Sequence, residues 1–413
     1  MADRHLPVHP NLVHLEHQAK DLLRSIKRAD PAAVAELAKH HPERIEPATA
    51  KLADAQLALA RSYGLPSWPR LVLACRMTDA ICGDDADTVR ELVKRHPYLL
   101  HEDARGVKGN WGPPMSYAAN LGRDRIIAML RELGAADVQF AFERACLQSQ
   151  LATARQLYEM GARPVRGSVM GPCETLSDTG LALLLQLGAE LTDHDGDRDA
   201  PVALILETYT RFPSGKHRIL DVVAKHGVTL PDTPAMALHR GRIDLLEQHL
   251  QRDPNLTART FSHEEIFPLE LGCHRDHSLA LHGTPLHGTT LLHMSVDYDE
   301  IEIARWLLAH GADSNARAAV DADGFGGHTA LFGCVVTQPH HLRESDVFAR
   351  LLLDHGADPN ARASLRKQLR GADDESVHDY RDVTPLAWGE RFHDQGFVSR
   401  PAMRLIVERG AQT

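Results

Sequence analysis

The chain has 413 residues and a formal net charge of -10 at pH 7. An acidic balance of this size argues against non-specific binding to nucleic acid or to anionic membranes, and it mildly favours basic partners. The six cysteines are scattered without a Cys-x-x-Cys pair, the first ten residues are polar, and no apolar run approaches membrane-spanning length. The sequence therefore predicts a reduced, cytoplasmic protein that crosses no membrane.

The N-terminal segment has the pattern of a small helical module. Helices are predicted over residues 11–28, 32–39, 51–61 and 68–77. The first is amphipathic, with apolar residues at helical spacing between Leu12 and Ile26. The second begins with Asp30 and Pro31, which suit an N-cap and a first-turn position. We expect residues 1–77 to cover the apolar end of the elements that follow.

Residues 78–256 contain weakly patterned pairs of short helices. The clearest pair is GPPMSYAANLGRDRIIAMLRELGAAD, over residues 112–137, and degenerate copies follow over 140–164, 176–191, 200–230 and 233–256. Each helix is too short to be stable alone, because nucleation is costly and one turn of apolar contacts does not offset it. Such pairs bury their apolar faces against neighbours of their own kind, which predicts a stack of repeats.

A histidine-rich insertion covers residues 257–287. It contains six side chains that are potential ligands of a transition metal, namely Cys273, His274, Asp276, His277, His282 and His287. Their spacing matches no zinc motif, and several such residues can occur by chance in a histidine-rich loop. A solvated or partner-facing loop is the favoured interpretation, and a site for zinc, iron or copper is the alternative.

The best-formed repeat is GTTLLHMSVDYDEIEIARWLLAHGADSNA, over residues 288–316. Thr290 suits the N-cap of its first helix, and Gly311 supplies the left-handed residue that ends the second. Copies with insertions follow over residues 327–361 and 382–411. Residues 288–413 are therefore expected to form a second set of repeats with long loops, including residues 317–326 and 362–381.

Glycine and histidine mark the ends of many predicted helices. The helix-ending glycines are Gly134, Gly161, Gly188, Gly227, Gly311, Gly356 and Gly410. His226, His310 and His355 each stand immediately before one of them, where an imidazole interacts well with the negative end of the helix dipole. We interpret these three histidines as structural.

The repeats resemble the ankyrin repeat. The features in common are Gly-x-Thr-Pro-Leu-His, an Ala-Ala pair, a helix that ends Leu-Leu-x-x-Gly-Ala-Asp, and a following Asn-Ala. No repeat keeps the whole tetrapeptide, since residues 290–293 lack the proline and residues 384–387 lack the histidine. The segment LADAQLALARSYGLPSWPRL is similar to the N-terminal module of some bacterial ankyrin proteins. The resemblance implies an all-α solenoid of helix-turn-helix units with an N-terminal helical cap, and it implies that His293 braces adjacent repeats.

The resemblance also implies a binding surface. In ankyrin repeats the first helix of each unit lines the concave face, and the fourth, seventh and eighth positions after its cap point outward. The corresponding candidates for partner contact are Tyr117, Asn120, Met294, Asp297, Tyr298, Trp388, Arg391 and Phe392. Four of them are aromatic in a chain with 5% aromatic residues, and Tyr, Trp and Arg often dominate interface energetics.

We find no established catalytic motif, phosphate loop or dinucleotide fingerprint in the sequence. The leading hypothesis is a non-catalytic module without a cofactor that binds a protein, possibly a basic one, along a concave acidic groove. The alternative is a metal-dependent enzyme or metal-binding protein on the same scaffold, with its site in residues 257–287.

Overall fold

The computed structural model describes residue 4 and residues 6–106, 110–275, 284–337, 344–369, 374 and 376–411. The chain divides into two compact units, Met1–Pro164 and Val165–Thr413. Within the described residues both units are built from α-helices, and the strands are confined to two short pairs in the second unit. The all-α prediction is confirmed, with these strands as a small addition.

The described part of the first unit contains nine α-helices. Its helices are α1 (Leu12–Lys27), α2 (Pro31–His40), α3 (Leu52–Ser62), α4 (Trp68–Cys82), α5 (Ala86–Arg95), α6 (Pro114–Asn120), α7 (Asp124–Glu132), α8 (Val138–Leu147) and α9 (Leu151–Glu159). Asn11 starts α1 by accepting the backbone N–H of His14 at 3.0 Å. Asp30 starts α2 by accepting that of Ala33 at 3.0 Å. The structure therefore contains the four helices predicted for the N-terminal segment.

The fourth helix is longer than its predicted extent. It continues past Met77 to Cys82, and Thr78 and Ile81 are fully buried in the added turn. The hydroxyl of Thr78 donates to the carbonyl of Ala74 at 2.9 Å, which satisfies it inside the helix. The domain boundary expected after residue 77 falls inside α4, so the N-terminal module and the repeat at 112–137 lie in one compact unit.

The second unit carries the remaining repeats. Its helices are α10 (Met170–Thr175), α11 (Asp178–Gln186), α12 (Ala200–Glu207), α13 (Pro213–Lys225), α14 (Pro234–His239), α15 (Ile243–Arg252), α16 (His263–Ile266), α17 (Leu291–Asp297), α18 (Ile301–Ala309), α19 (Ala330–Val335), α20 (Val347–Asp354), α21 (Pro385–Arg391) and α22 (Arg400–Glu408). None of the helices in the described part of the chain has the length and apolar character needed to cross a membrane.

Successive helix pairs stack on one another. In the first unit α6 lies between α4 and α8, and in the second unit α17 contacts α14 and α19, while α19 also contacts α21. Ile303, Ala304 and Leu307 show the burial expected of such a stack, since α18 turns this face inward. The stacking confirms the predicted helix-turn-helix repeats.

The glycine endings predicted from the sequence are confirmed. Gly311 has a φ of +84°, a conformation in which other residues are strained. Its N–H and that of Ala312 reach back to the carbonyls of Leu308 and Leu307, at 3.1 and 3.0 Å. Positive φ also occurs at Gly134, Gly161, Gly188, Gly227, Gly356 and Gly410. The rings of His226, His310 and His355 each bond to the carbonyl four residues earlier, at 2.8 Å.

The two strand pairs lie in or directly next to segments predicted as insertions. β1 (Thr260–Phe261) pairs antiparallel with β2 (Thr289–Thr290), so the two ends of the histidine-rich insertion are held side by side. β3 (Ala363–Lys367) pairs antiparallel with β4 (His378–Val383), within the loop predicted over residues 362–381. Part of the predicted loop therefore forms an antiparallel hairpin.

Candidate functional site

The side chains predicted to contact a partner are mostly buried. Seven of the eight have little exposure, namely Tyr117, Asn120, Met294, Asp297, Tyr298, Trp388 and Phe392. The remaining one, Arg391, is exposed. The expectation that these positions point outward is wrong for the seven, because other segments of their own unit cover them. A role in partner contact remains a prediction for this set, and Arg391 alone has the exposure that it requires.

In the first unit, the polar groups of Tyr117 and Asn120 are used internally. The hydroxyl of Tyr117 donates to the carbonyl of Val8 at 2.5 Å, and its ring lies 4.9 Å from that of Trp111. The side-chain carbonyl of Asn120 accepts from Nε of Arg144 at 2.8 Å. These contacts join α6 to the N-terminal segment and to α8.

Trp388 and Phe392 belong to an aromatic cluster that is covered by the β3–β4 hairpin. The Trp388 ring is fully buried and meets Tyr380 of β4 edge-on, with ring centroids 4.7 Å apart. Phe392 lies 4.9 Å from Trp388. The hydroxyl of Tyr380 also bonds to Nδ1 of His393 at 2.7 Å. The hairpin thus covers the face of α21 that was expected to be open.

Asp297 forms a buried ion pair with Arg211. Nη2 of Arg211 donates to Oδ2 of Asp297 at 2.9 Å, and Nε donates to the backbone carbonyl of Asp297 at 2.7 Å. The two side chains are 1% and 5% exposed. Nη1 of Arg211 also donates to the carbonyl of Thr208 at 2.7 Å. The pair therefore ties the connection after α12 to the end of α17.

Tyr298 lies between two buried cations. Nζ of Lys216 is 3.8 Å from the centroid of its ring, and Cζ of Arg211 is 4.8 Å from the same centroid. Lys216 and the Tyr298 hydroxyl both donate to the carbonyl of Leu206, each at 3.2 Å. Burial, together with the charge of Arg211, holds the pKa of Lys216 well below its usual value. Burial also raises the pKa of Tyr298.

A third cation, Lys367, belongs to the same electrostatic environment. It ends β3 and is 5% exposed. Burial lowers its pKa to about 8, while Asp297 acts in the opposite direction and Arg211 adds to the decrease. We call Arg211, Lys216, Asp297, Tyr298 and Lys367 the Tyr298 cluster. Three basic side chains therefore share this interior with the carboxylate of Asp297, and the charge of Glu300 also acts on Lys216.

The three cations of the Tyr298 cluster were not predicted from the sequence. Arg211 lies in the connection between α12 and α13, Lys216 lies in the first turn of α13, and Lys367 lies in a segment predicted as a loop. Their spacing matches no motif, because their partners are distant in sequence: Asp297 is 86 residues from Arg211. The chain order alone gave no signal that could have found them.

The histidine-rich insertion is described only in part. His274 donates its backbone N–H to Glu207 at 2.7 Å, and its ring Nδ1 lies 2.7 Å from the same carboxylate. Nδ1 of His287 accepts the backbone N–H of His263 at 3.1 Å, and Cys273 is buried. Asp276, His277 and His282 lie outside the described residues. Among the residues that the structure describes, no group of three or more His, Cys, Asp or Glu side chains is placed to hold a metal ion.

An acidic groove lies beside the helix pairs α12–α13 and α14–α15. It consists of two cavities of about 470 and 550 Å³ that share Glu270 in their linings. Seven carboxylates line them, those of Glu190, Asp199, Asp232, Asp253, Glu264, Glu265 and Glu270, against three guanidinium groups. Oγ1 of Thr192 is buried in this lining and has no hydrogen-bond partner within the described residues. We call these residues the acidic groove.

A different cavity, of about 380 Å³, lies between the turn before α19 and the end of β3. Its lining includes Val320, Phe325, Lys367, Val377 and His328. The two valines are 62% and 57% exposed, whereas Phe325 is 5% and His328 is 1% exposed. We call it the finger-loop cavity. It combines an apolar rim with buried polar groups.

Two buried imidazoles should make the second unit sensitive to acid. Burial lowers the pKa of His293 from 6.5 to about 4, and that of His328 to about 3. Nε2 of His293 bonds to the carbonyl of His328 at 3.1 Å, which joins adjacent repeats. Because both folded-state pKa values lie below the unfolded value, the contribution of each neutral ring is complete above pH 6.5 and is lost as the pH falls towards 4.

We therefore expect the free energy of unfolding to fall by about 2 kcal/mol for each of the two rings when the pH is lowered from 7 to 5. Urea titrations at the two pH values measure the loss. The glutamine of His293→Gln cannot take up a proton. The free energy of unfolding of this variant should therefore differ between pH 7 and pH 5 by about 2 kcal/mol less than that of the wild type. The exposed His194→Gln is the matched control and should leave the difference unchanged. An unaltered pH dependence in His293→Gln would contradict the assignment.

Comparison with known proteins defines the class of this repeat. A family model described as the ankyrin repeat matches residues 284–319, which contain α17 and α18. Solved structures that match include the ankyrin repeat domain of human ASB11, with 16% sequence identity, coverage of 73% of this chain and 99% of that chain, and a TM-score of 0.24. No curated protein matches the chain significantly.

The stacked helix pairs define a helical repeat protein. The family match places an ankyrin repeat on the segment that the sequence marked as the best-formed unit. The predicted resemblance is confirmed for residues 284–319, which match the ankyrin repeat. Ankyrin repeats are generally protein–protein interaction modules.

Proposed function

We propose that this protein binds a protein partner through the acidic groove and carries out no chemistry of its own. The observation that carries the proposal is the lining of the groove, where seven carboxylates face three guanidinium groups across two adjoining cavities. Surfaces of one charge sign favour partners of the other sign and accelerate their encounter. The partner surface is therefore basic.

Some of the groove carboxylates are already neutralised. Asp232 accepts from Arg252 at 3.1 Å, and Glu265 is paired with Arg259. Glu264 and Glu270 are exposed, and neither forms an ion pair within the described residues. Glu264 and Glu270, like the exposed Glu190 and Asp199 of the same lining, therefore have charge to offer to a partner. Glu264 and Glu270 lie on either side of Pro268, which also lines the groove.

The groove fits a basic side chain in size as well as in charge. Cavities of several hundred Å³ accommodate whole side chains, and an inserted lysine or arginine would meet carboxylates on both sides. The hydroxyl of Thr192, which has no hydrogen-bond partner within the described residues, adds a hydrogen-bonding group to the same lining. Nucleic acid is not proposed as the ligand, because its phosphates would be repelled by this surface.

Neutralising Glu264 and Glu270 together should weaken partner binding about tenfold. The partner is first captured with the wild-type protein from its native cells and then purified for direct titration. The double variant Glu264→Gln/Glu270→Gln should associate more slowly, and its affinity should depend less on salt.

The matched control is Glu302→Gln on α18, which removes a charge from a side chain that is 76% exposed and outside the groove. It should bind as the wild type does. Equal affinity of the wild type and the double variant for the same purified partner would exclude the acidic groove as the binding surface.

A further inference from the structure

A tyrosine of β4 and a histidine after α21 are joined by two hydrogen bonds. The hydroxyl oxygen of Tyr380 accepts the backbone N–H of His393 at 3.0 Å and lies 2.7 Å from Nδ1 of the same residue. Within the described residues this hydroxyl has no other acceptor, so its proton is donated to Nδ1, which is therefore unprotonated. The contact requires the neutral imidazole, with its proton on Nε2.

A second imidazole lies parallel to the first. The rings of His378 and His393 are stacked, with centroids 3.9 Å apart and planes inclined by 10°. Nε2 of His378 lies 2.9 Å from Oδ2 of Asp374 and 3.0 Å from the hydroxyl of Ser376. Two neutral rings stack without repulsion, whereas two protonated rings place like charges face to face.

The ionisable groups around the His393 ring come from the hairpin and from the segment after α21, and they are His378, Tyr380, Lys367, Asp374 and Asp394. Burial lowers the pKa of His393, and His378 adds to the decrease, while the two aspartates oppose it without reversing it. The closed hairpin therefore favours the neutral ring. Its contribution is complete above pH 6.5, the ordinary pKa of histidine, and is lost as the pH falls below that value.

Tyr380 connects this histidine pair to the aromatic face of α21. Its ring meets Trp388 edge-on, with centroids 4.7 Å apart, and lies nearly parallel to Phe392 at 5.9 Å. Both of these side chains are buried. The ring that covers α21 is thus the one whose hydroxyl depends on the protonation state of His393.

We propose that Tyr380, His378 and His393 form an acid-released latch between β4 and α21. At neutral pH the hydroxyl of Tyr380 bonds to Nδ1 of His393, and the hairpin stays closed. In acid a proton on Nδ1 turns this acceptor into a donor, and the O–H of Tyr380 loses its acceptor within the described residues. Repulsion between the protonated rings adds to this loss, so β4 separates from α21 and exposes Trp388 and Phe392.

Hydrogen exchange of the full chain at pH 7 and pH 5, read by mass spectrometry, tests the latch. Rates are corrected for the pH dependence of intrinsic exchange. Helix α18 serves as the reference, because the buried His293 and His328 act on the stability of the whole unit. Residues 378–393 should accelerate at pH 5 by about fivefold more than α18 does, which is the effect expected from losing one buried hydrogen bond.

Two variants remove the protonation sites one at a time. His393→Asn keeps a side-chain oxygen near the position of Nδ1 but cannot take up a proton, so the excess acceleration should fall below about twofold. His378→Gln keeps a polar group near Asp374 and removes the repulsion between the rings, so the excess should be about half that of the wild type. The exposed His194→Asn is the matched control and should respond as the wild type does.

A wild-type excess below about twofold would overturn the latch. The same conclusion would follow if His393→Asn responded to acid as strongly as the wild type. Should His393→Asn fail to fold, His378→Gln decides the question, because a response equal to that of the wild type would rule out the stacked pair as the source. The latch does not depend on the acidic groove, whose lining contains none of its three residues.

Discussion

Replacing Asp297 by Asn is expected to destabilise the second unit by about 3–5 kcal/mol. The carboxylate of Asp297 is buried against Arg211, and its charge also acts on Lys216 and Lys367. Asparagine keeps the shape of the side chain but removes the negative charge that pairs with Arg211. Removing one partner of a buried pair is costly because the other partner cannot regain its hydration.

Urea unfolding followed by tryptophan fluorescence measures this loss. Trp68 and Trp111 lie in the first unit, so replacing both by phenylalanine leaves Trp306 and Trp388 as reporters of the second unit. A local reporter is needed because two compact units need not unfold in a single transition.

Asp354→Asn is the matched control. It breaks the ion pair between Asp354, which is 51% exposed, and Arg409, which is 39% exposed. Its cost should stay below about 1 kcal/mol.

A double-mutant cycle tests the charge argument itself. Lys367→Met should cost less in the Asp297→Asn background than in the wild type, because it then removes a cation that has lost its compensating charge. We expect a coupling free energy of about 1 kcal/mol or more. Additive effects, within about 0.5 kcal/mol, would show that the charges of Lys367 and Asp297 do not interact.

Truncating Trp388 to Ala is expected to cost about 3–5 kcal/mol. The ring is fully buried and contacts Tyr380 and Phe392, with centroids 4.7 and 4.9 Å away. Loss of the ring opens a large cavity between α21 and the β3–β4 hairpin. Hydrogen exchange read by mass spectrometry should show faster exchange in β4 and α21.

Arg391→Ala on the same helix is the control for Trp388. Arg391 is exposed, and its truncation should change stability by no more than about 0.5 kcal/mol. Equal exchange in the two variants would mean that Trp388 carries little of the packing. Normal protection in Trp388→Ala would contradict the burial on which the expectation rests.

These expectations change how a partner-binding experiment should be designed. Loss of binding after Tyr298→Ala or Trp388→Ala would follow from a disturbed interior as readily as from a lost contact, since both side chains are buried. Exposed carboxylates such as Glu264 and Glu270 avoid this ambiguity. They test the binding surface while the packing of the repeats stays intact.

Much of the fold is determined by short-range features of the sequence. Asn11 and Asp30 cap helices through residues three positions away, and Gly311 ends α18 through bonds to the preceding turn. The ring of His310 likewise bonds within its own helix. Interactions of this kind depend on spacings of three or four residues, so they can be read directly from the chain.

The candidate sites depend instead on contacts between distant segments. Asp297 meets Arg211, which is 86 residues away in the sequence, and Trp388 is covered by Tyr380 from a hairpin that the sequence presented as a loop. Sequence alone predicted that Met294, Asp297 and Tyr298 share one helix face, but it did not determine which segment covers that face. Insertions of irregular length have no repeating pattern, so the sequence does not indicate which segments they contact. Only the tertiary structure decided that they cover the inner helices, that three basic side chains are buried, and that the acidic groove is exposed.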